Sequence, residues 1–274
     1  MIRVAVDPTN PGQFFACCGL LELADRLWPG AEGCFAEGGR EFCVTFSEEQ
    51  GTLKELLATL VKDSPKEILV LECNGLAVKP IVAPLAFTFR SGPKTVVFLL
   101  DVWSRIQNIK GVVQVIGNSP WNFWSGQQTS SGIWSGLRKA LVAHMRTFQP
   151  EDFDSLFAHR LFQKGRFGFD PGPAWNPLDV GFSPNEQAME VESSAAVELL
   201  AAVGLQRFRP VMHGRESFDY STWHHPLSPS VAAAAICNAI PDSHSVRYRG
   251  CVVSRGQYAA LGVSFPIREG ASRE

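Results

Sequence analysis

No run of residues in this 274-residue chain is both long and apolar enough to cross a bilayer. The best candidate, 14–28, is cut by Glu22, Asp25 and Arg26, and it has neither a basic leader nor a small-residue cleavage site. No membrane contact and a cytoplasmic location are therefore expected. Cysteine pairs are missing as well. The seven cysteines are odd in number, irregularly spaced and contain no CxxC, which excludes a disulfide framework and paired-thiol zinc sites. Adjacent Cys17 and Cys18 fall on an expected helix with side chains about 100° apart, so both are read as small core residues. The chain has no GxxxxGK[ST] or GxGxxG to cradle phosphates and no GxSxG elbow. His213, His224, His225 and His244 follow no metal-ligand spacing. No cofactor and no metal are expected.

Lysine is absent after Lys164, while Arg166, Arg207, Arg209, Arg215, Arg247, Arg249, Arg255, Arg268 and Arg273 follow it. The net charge of −2 conceals this gradient, because residues 1–75 hold 6 basic and 12 acidic side chains and the remainder holds 19 and 15. Arginine is the better residue for forked phosphate contacts and for stacking on bases. The same arginines also suit pairing with local carboxylates across the surface.

With 45% apolar residues the chain can bury a large core, and a single domain is expected over 1–274. Residues 2–6 read as a strand, and Asp7 to Gly12 as a turn that caps a helix carrying Phe14, Cys17, Cys18, Leu21 and Leu27, stopped by Pro29-Gly30. A strand at 41–46, a helix at 52–62 and a strand at 68–71 complete a β-α-β-α-β opening. Residues 81–90 and 95–103, rich in β-branched and aromatic side chains, suggest a hairpin. Helices are expected at 130–144, 194–205 and 229–239, and a last hairpin over 245–266. The fold class is α+β, with a mixed or largely antiparallel sheet, packed helices and room for an RNA-recognition, ferredoxin-like relationship. Residues 17–29 and 198–210 echo one another as helices that end in an aromatic residue and a proline.

The most informative stretch is Gly165 to Gln187. Its 23 residues include four prolines and four glycines, so it is neither a regular helix nor a strand. It also holds Phe167, Phe169, Trp175 and Phe182 among Arg166, Asp170, Asn176 and Asn185, which favours an ordered interface loop over a spacer. Lys164-Gly165-Arg166-Phe167-Gly168-Phe169 approaches the aromatic strand motif of RNA-recognition modules, with an extra arginine after the first glycine and Asp170-Pro171 in place of an apolar continuation. The two rings are equally readable as core residues of a strand end. Trp121, Trp124 and Trp134 likewise read as core or interface anchors before stacking platforms.

Several blocks taken together resemble a known family. They are Asn10-Pro11-Gly12-Gln13-Phe14 leading to Cys18-Gly19-Leu20-Leu21-Glu22-Leu23-Ala24, Trp124-Ser125-Gly126-Gln127-Gln128, and Arg166-Phe167-Gly168-Phe169-Asp170-Pro171. Gly181-Phe182-Ser183-Pro184-Asn185-Glu186-Gln187 and Ser254-Arg255-Gly256-Gln257-Tyr258 continue the series. In this order they resemble the Csb-type accessory proteins of type I-U, also called I-G, CRISPR–Cas loci. The resemblance implies a cytoplasmic, non-catalytic subunit of an RNA-guided effector complex, bound to guide RNA and neighbouring subunits, with target DNA a further partner left open. The expected RNA-binding residues are Lys164, Arg166, Phe167, Phe169, Arg207, Arg209 and Arg255. No catalytic set carries over, and the glycine-rich C-terminal loop of repeat-associated RNA-binding subunits is missing. Two rivals stay open. One is a metal-independent endoribonuclease using His213 or His224 with Arg215; the other is a scaffold that touches protein alone.

Overall fold

Asn10 fixes the start of the longest helix among the described residues: its side-chain oxygen accepts the Gln13 N–H at 3.1 Å, and Pro11 occupies the first helical position, where no donor is needed. We describe the chain from a computed structural model covering residues 1–36, 38–47, 51–71, 76–91, 94–109, 112–117, 119–124, 128–171, 191–255 and 258–267. Strand β1 (Ile2–Ala5) leads into this helix, α1 (Pro11–Leu27), and then into the strands β2 (Glu32–Phe35) and β3 (Glu41–Thr45). The sheet order is β1-β3-β2, with β3 antiparallel to both neighbours. That is the first half of a ferredoxin-like arrangement. It departs there, because α2 (Leu53–Lys62) leads away to β4 (Lys66–Glu67), which pairs with β7 (Leu85–Ser91) instead of adding a fourth strand beside β1.

Between β4 and β7 lies the short pair β5 (Val70–Leu71) and β6 (Leu76–Ala77). Strand β7 turns into β8 (Lys94–Leu100) in a hairpin whose register matches Leu85 with Leu100 and Arg90 with Thr95. A second hairpin, β9 (Arg105–Ile109) with β10 (Val112–Ile116), precedes α3 (Ser130–Met145), capped by Thr129. Strands β11 (Leu161–Gln163) and β12 (Val191–Ser193) then bring the chain to α4 (Ala195–Arg207), capped by Ser194. The remainder is β13 (Val211–His213), β14 (Ser217–Ser221), the short helix α5 (Pro229–Ala235), β15 (Arg247–Arg255), β16 (Tyr258–Leu261) and β17 (Phe265–Pro266). Their sheet runs β13-β14-β15-β16, with β17 also against β15. Helices and antiparallel sheets of this kind make the protein α+β.

Helices α1 and α4 form the centre. Both are buried over most of their length, and they touch backbone to backbone at two glycines. A Cβ on Gly19 would stand 2.0 Å from the Leu200 carbonyl oxygen, and one on Gly204 would stand 2.1 Å from that of Phe15. Only glycine permits this approach. The two helices also end alike, the Trp28 and Phe208 N–H groups donating to the Ala24 and Gly204 carbonyls. Around α1 the aromatic core gathers Phe14, Phe35, Phe42, Tyr220 and Trp223, with Phe14 and Phe35 stacked at 5.4 Å. The polar ends of the two amphipathic rings are satisfied: Trp223 donates to the Gly33 carbonyl and Tyr220 to that of Pro8, each at 2.7 Å. Cys17 and Cys18 are fully buried, and burial pushes both thiols well up.

Candidate nucleic-acid interface

The segment after β11 has backbone donors but no ladder to receive them, and one carboxylate takes four in succession. Glu198, in α4, accepts the N–H groups of Phe167, Gly168 and Phe169 on Oε2 at 3.0, 3.1 and 3.3 Å, and that of Asp170 on Oε1 at 3.1 Å. Burial raises its carboxyl to about 7, while Arg166 and the amide donors pull downward and Asp170 upward. Asp170 is clamped in turn by Asn10 and Arg160, both at 2.9 Å, and by the Ser194 N–H at 2.8 Å. Gly168 sits at φ +88°, a conformation that glycine adopts without strain.

This clamp corrects the expectation of RNA-facing rings. Phe167 and Phe169 are fully buried, Phe167 stacking on Trp103 at 5.1 Å and packing against Trp124 and Trp134, and Phe169 meeting Phe123. The physical reason is the Glu198 anchor, which draws the backbone inward and leaves the rings no solvent face. They support the start of the loop from within. Arg166 is turned the same way: burial lowers its pKa, and the charges it answers are Glu198 and Asp170. Of the long loop, 165–171 is described; 172–187, with Trp175 and Phe182, lies outside the described residues, as do 125–127 and 256–257 of the motif blocks.

The other expected contacts do not converge. Lys164 is exposed, its carbonyl taking the Gln128 side-chain N–H at 3.2 Å. Arg207 is committed to buried Glu22 through Nε at 2.5 Å, and Glu22 also holds Arg26 at 2.7 Å; the Glu22 hydrogen bond raises the Arg207 pKa. The Arg209 Nε donates to the Gln206 carbonyl at 3.2 Å, and burial lowers its pKa against the pull of Asp101. Arg207 ends α4 about 14 Å along the helix from Glu198 at 1.5 Å per residue, and Arg209 lies two residues beyond it. The Arg255 backbone pairs with Tyr258, and its side chain lies outside the described residues.

What does assemble is on the C-terminal sheet. Strand alternation sends Phe218, Tyr220 and Tyr248 into the core and Asp219, Arg247 and Arg249 to the opposite face, where Arg249 stands directly across from Asp219 and Arg247 from Ser221. Strand β13 adds His213. Asp219 accepts from His213 Nε2 at 2.8 Å, from Arg247 Nη2 at 2.7 Å, and from Arg249 Nε and Nη2 at 2.8 and 3.0 Å. Its carboxylate is 2% exposed, whereas the His213, Arg247 and Arg249 side chains are 41%, 40% and 46% exposed. Burial alone would raise the Asp219 pKa; the hydrogen bonds and charges of Arg249 and His213 outweigh it and bring the group down to about 2. Asp219 in turn raises Arg249.

Two guanidiniums on one carboxylate leave a surplus of one positive charge. Each guanidinium has five N–H groups, and Asp219 takes one from Arg247 and two from Arg249. The rest of the donors are held in fixed planes, as anion recognition by arginine requires.

In the sequence His213 stands out only for the enzymatic rival, and Arg247 and Arg249 only as members of a series of arginines. The usable signal was alternation: Phe218-Asp219-Tyr220 places a lone carboxylate between two core aromatics, and Arg247-Tyr248-Arg249 repeats the pattern with cations. His224 belongs elsewhere, its N–H and ring facing Asp242 at 2.7 and 3.5 Å. Among the described residues, no cluster of three or more His, Cys, Asp or Glu side chains is placed to hold a metal ion, and no helix is long and apolar enough to cross a membrane. No protein-family model, curated protein or solved structure matches the chain.

Proposed function

We propose that this chain is a non-catalytic RNA-binding subunit of a type I CRISPR effector complex of the Csb type, working in the cytoplasm against invading nucleic acid. The observation that carries the RNA contact is the pair Arg247 and Arg249, oriented on buried Asp219 with His213 beside them. In this reading they hold phosphates of the guide RNA. Guide pairing supplies sequence specificity, so the protein binds backbone and shape. Neighbouring effector subunits complete the particle.

The test is titration of repeat-derived RNA into the purified complex at about 50 and 200 mM salt, for the native chain and for Arg247→Ala/Arg249→Ala. Losing two single-strand phosphate contacts lowers the salt slope by about 1.4, so the native advantage shrinks about sevenfold over that fourfold salt range. An unchanged slope and intact RNA association in the variant would remove the assignment.

A metal-independent endoribonuclease is favoured by one observation, the His213–Asp219 hydrogen bond. Asp219 on Nε2 leaves His213 Nδ1 to take the proton of a ribose 2′-hydroxyl as that oxygen bonds to the adjacent phosphorus; Arg249 stabilises the charge on the phosphorane, the P–O5′ bond breaks to leave a 2′,3′-cyclic phosphate, and the departing 5′-oxygen takes a proton from solvent water. Incubation of repeat RNA without metal separates the readings, since site-specific cleavage lost in His213→Ala belongs to the enzyme alone.

A further inference from the structure

The first 75 residues are the acidic part of the chain, with 6 basic and 12 acidic side chains, yet they contribute to a groove of the opposite character. A cleft of about 590 Å³ runs between the end of α2, strand β4 and the β7–β8 hairpin. Lys62, Lys66 and Arg90 line it, with Asp63 the one acidic lining residue. Four hydroxyl side chains, Thr59, Ser64, Thr88 and Thr95, stand among them. None of the three cations forms an ion pair with a described residue, in contrast to Arg207, Arg247 and Arg249.

The groove is built rather than incidental to loose side chains. A capping box between Thr52 and Glu55 starts α2, and at its other end Arg138 of α3 donates to the Val61 and Lys62 carbonyls at 2.7 and 3.0 Å. Those carbonyls form the negative end of the helix and would repel an anion; Arg138 occupies them and adds a further cation behind the groove. Antiparallel pairing places Lys66 opposite Ala86, and alternation along β7 puts Thr88 and Arg90 on the same exposed face as Ala86. Four residues at about 3.4 Å each separate the Lys66 and Arg90 positions by roughly 14 Å. A single phosphate does not span that distance, whereas a phosphodiester chain does. Phe87 and Phe89 are 1% and 6% exposed, so the floor offers no ring for a base to stack upon.

We infer that this groove is a second, sequence-blind binding track for the phosphodiester backbone of single-stranded RNA, held by Lys62, Lys66 and Arg90. It rests on the ribonucleoprotein reading for the identity of the polymer, and it uses residues that the Asp219 array does not share.

The experiment measures binding of fluorescein-labelled poly-uridine to the full chain by anisotropy, over about 50 to 200 mM salt. It compares the native protein, Lys62→Ala/Lys66→Ala/Arg90→Ala, and Arg247→Ala/Arg249→Ala, with urea unfolding of each as the control for folding. All three groove positions are exposed and form no ion pair with a described residue, so the triple variant is expected to fold. Its salt slope is expected to fall by about 2, the value for three single-strand phosphate contacts, with at least about tenfold weaker binding at the low-salt end. An unchanged triple variant beside a weakened array variant overturns the groove and leaves the RNA-binding reading standing. Weakening of the triple variant alone supports the groove and removes the array. A native chain that binds no poly-uridine overturns both.

Discussion

Substituting Gly19 by alanine tests the central packing, because helix propensity and the observed contact predict opposite signs. In an exposed helix interior the change stabilises by about 1 kcal/mol, alanine being the best helix former and glycine among the worst. In α1 the added methyl carbon would lie 2.0 Å from the Leu200 carbonyl oxygen and 2.8 Å from its carbon. Both atoms are helix backbone, with no rotamer to move away. Restoring ordinary contact at about 3.4 Å requires the helices to part by about 1.4 Å at the crossing, and gaps of about 0.5–1 Å already forfeit a quarter to a half of each dispersion contact. Overpacking of this kind costs about 3 kcal/mol, so the net effect is destabilisation by about 2 kcal/mol. The chain supplies its own control. A Cβ added to Gly136 in α3 would meet nothing within 4 Å, so Gly136→Ala is expected to stabilise by about 0.5–1 kcal/mol. Urea unfolding of the two variants and of Gly19→Ala/Gly204→Ala measures all three, and the double variant should cost less than the sum because the same gap serves both methyls. A Gly19→Ala protein as stable as the native one refutes the backbone contact.

Glu198, raised to about 7 mainly by burial, contributes stability that is fully present below the ordinary carboxylate range and is lost as pH rises through 7. Urea titrations between about pH 4.5 and 8 should show a loss of about 3 kcal/mol attributable to it, and Glu198→Gln should flatten most of that slope; equal slopes contradict the assignment. Asp219 has the opposite sign. Held at about 2, it stabilises the fold above the ordinary aspartate range, and the contribution disappears as pH falls through 2. Asp219→Asn is expected to cost about 1–2 kcal/mol near neutrality, discounted for the half-exposed cations, and to lose the native acid limb between about pH 4 and 2 in the same unfolding assay.

The central helices were legible because their signals are local. Phe14 to Leu27 keeps helical spacing between a capping asparagine and Pro29-Gly30, and Ser194 opens α4 in the same way. The hairpin of β7 and β8 followed from β-branched residues on either side of a turn. Strand β2 was hidden, since Glu32-Gly33-Cys34-Phe35 is short and owes its pairing to β3 and to the distant Leu227. Helix α5 stops at Ala235, short of the expected 239, and Asn238 takes a positive φ of 57°. The inward turn of Phe167 and Phe169 was illegible for a deeper reason: its cause is a carboxylate 31 and 29 residues further on, and no local pattern reports where a buried acid finds its donors. The Asp219 array was legible only in part, because alternation gives the face of a residue but not its cross-strand neighbour.

The turn before α1 is held by groups from the other end of the chain: the Tyr220 hydroxyl donates to the Pro8 carbonyl and the Ser264 N–H to that of Thr9, each at 2.7 Å. Together with the Gly19–Gly204 crossing, this sets an order of events during synthesis. Helix α1 leaves the ribosome before the surfaces that cover it, which arrive with α4 and the last sheet. Until then its apolar faces stay uncovered, and the folding step should be slow, governed by closure of the chain rather than by formation of its helices.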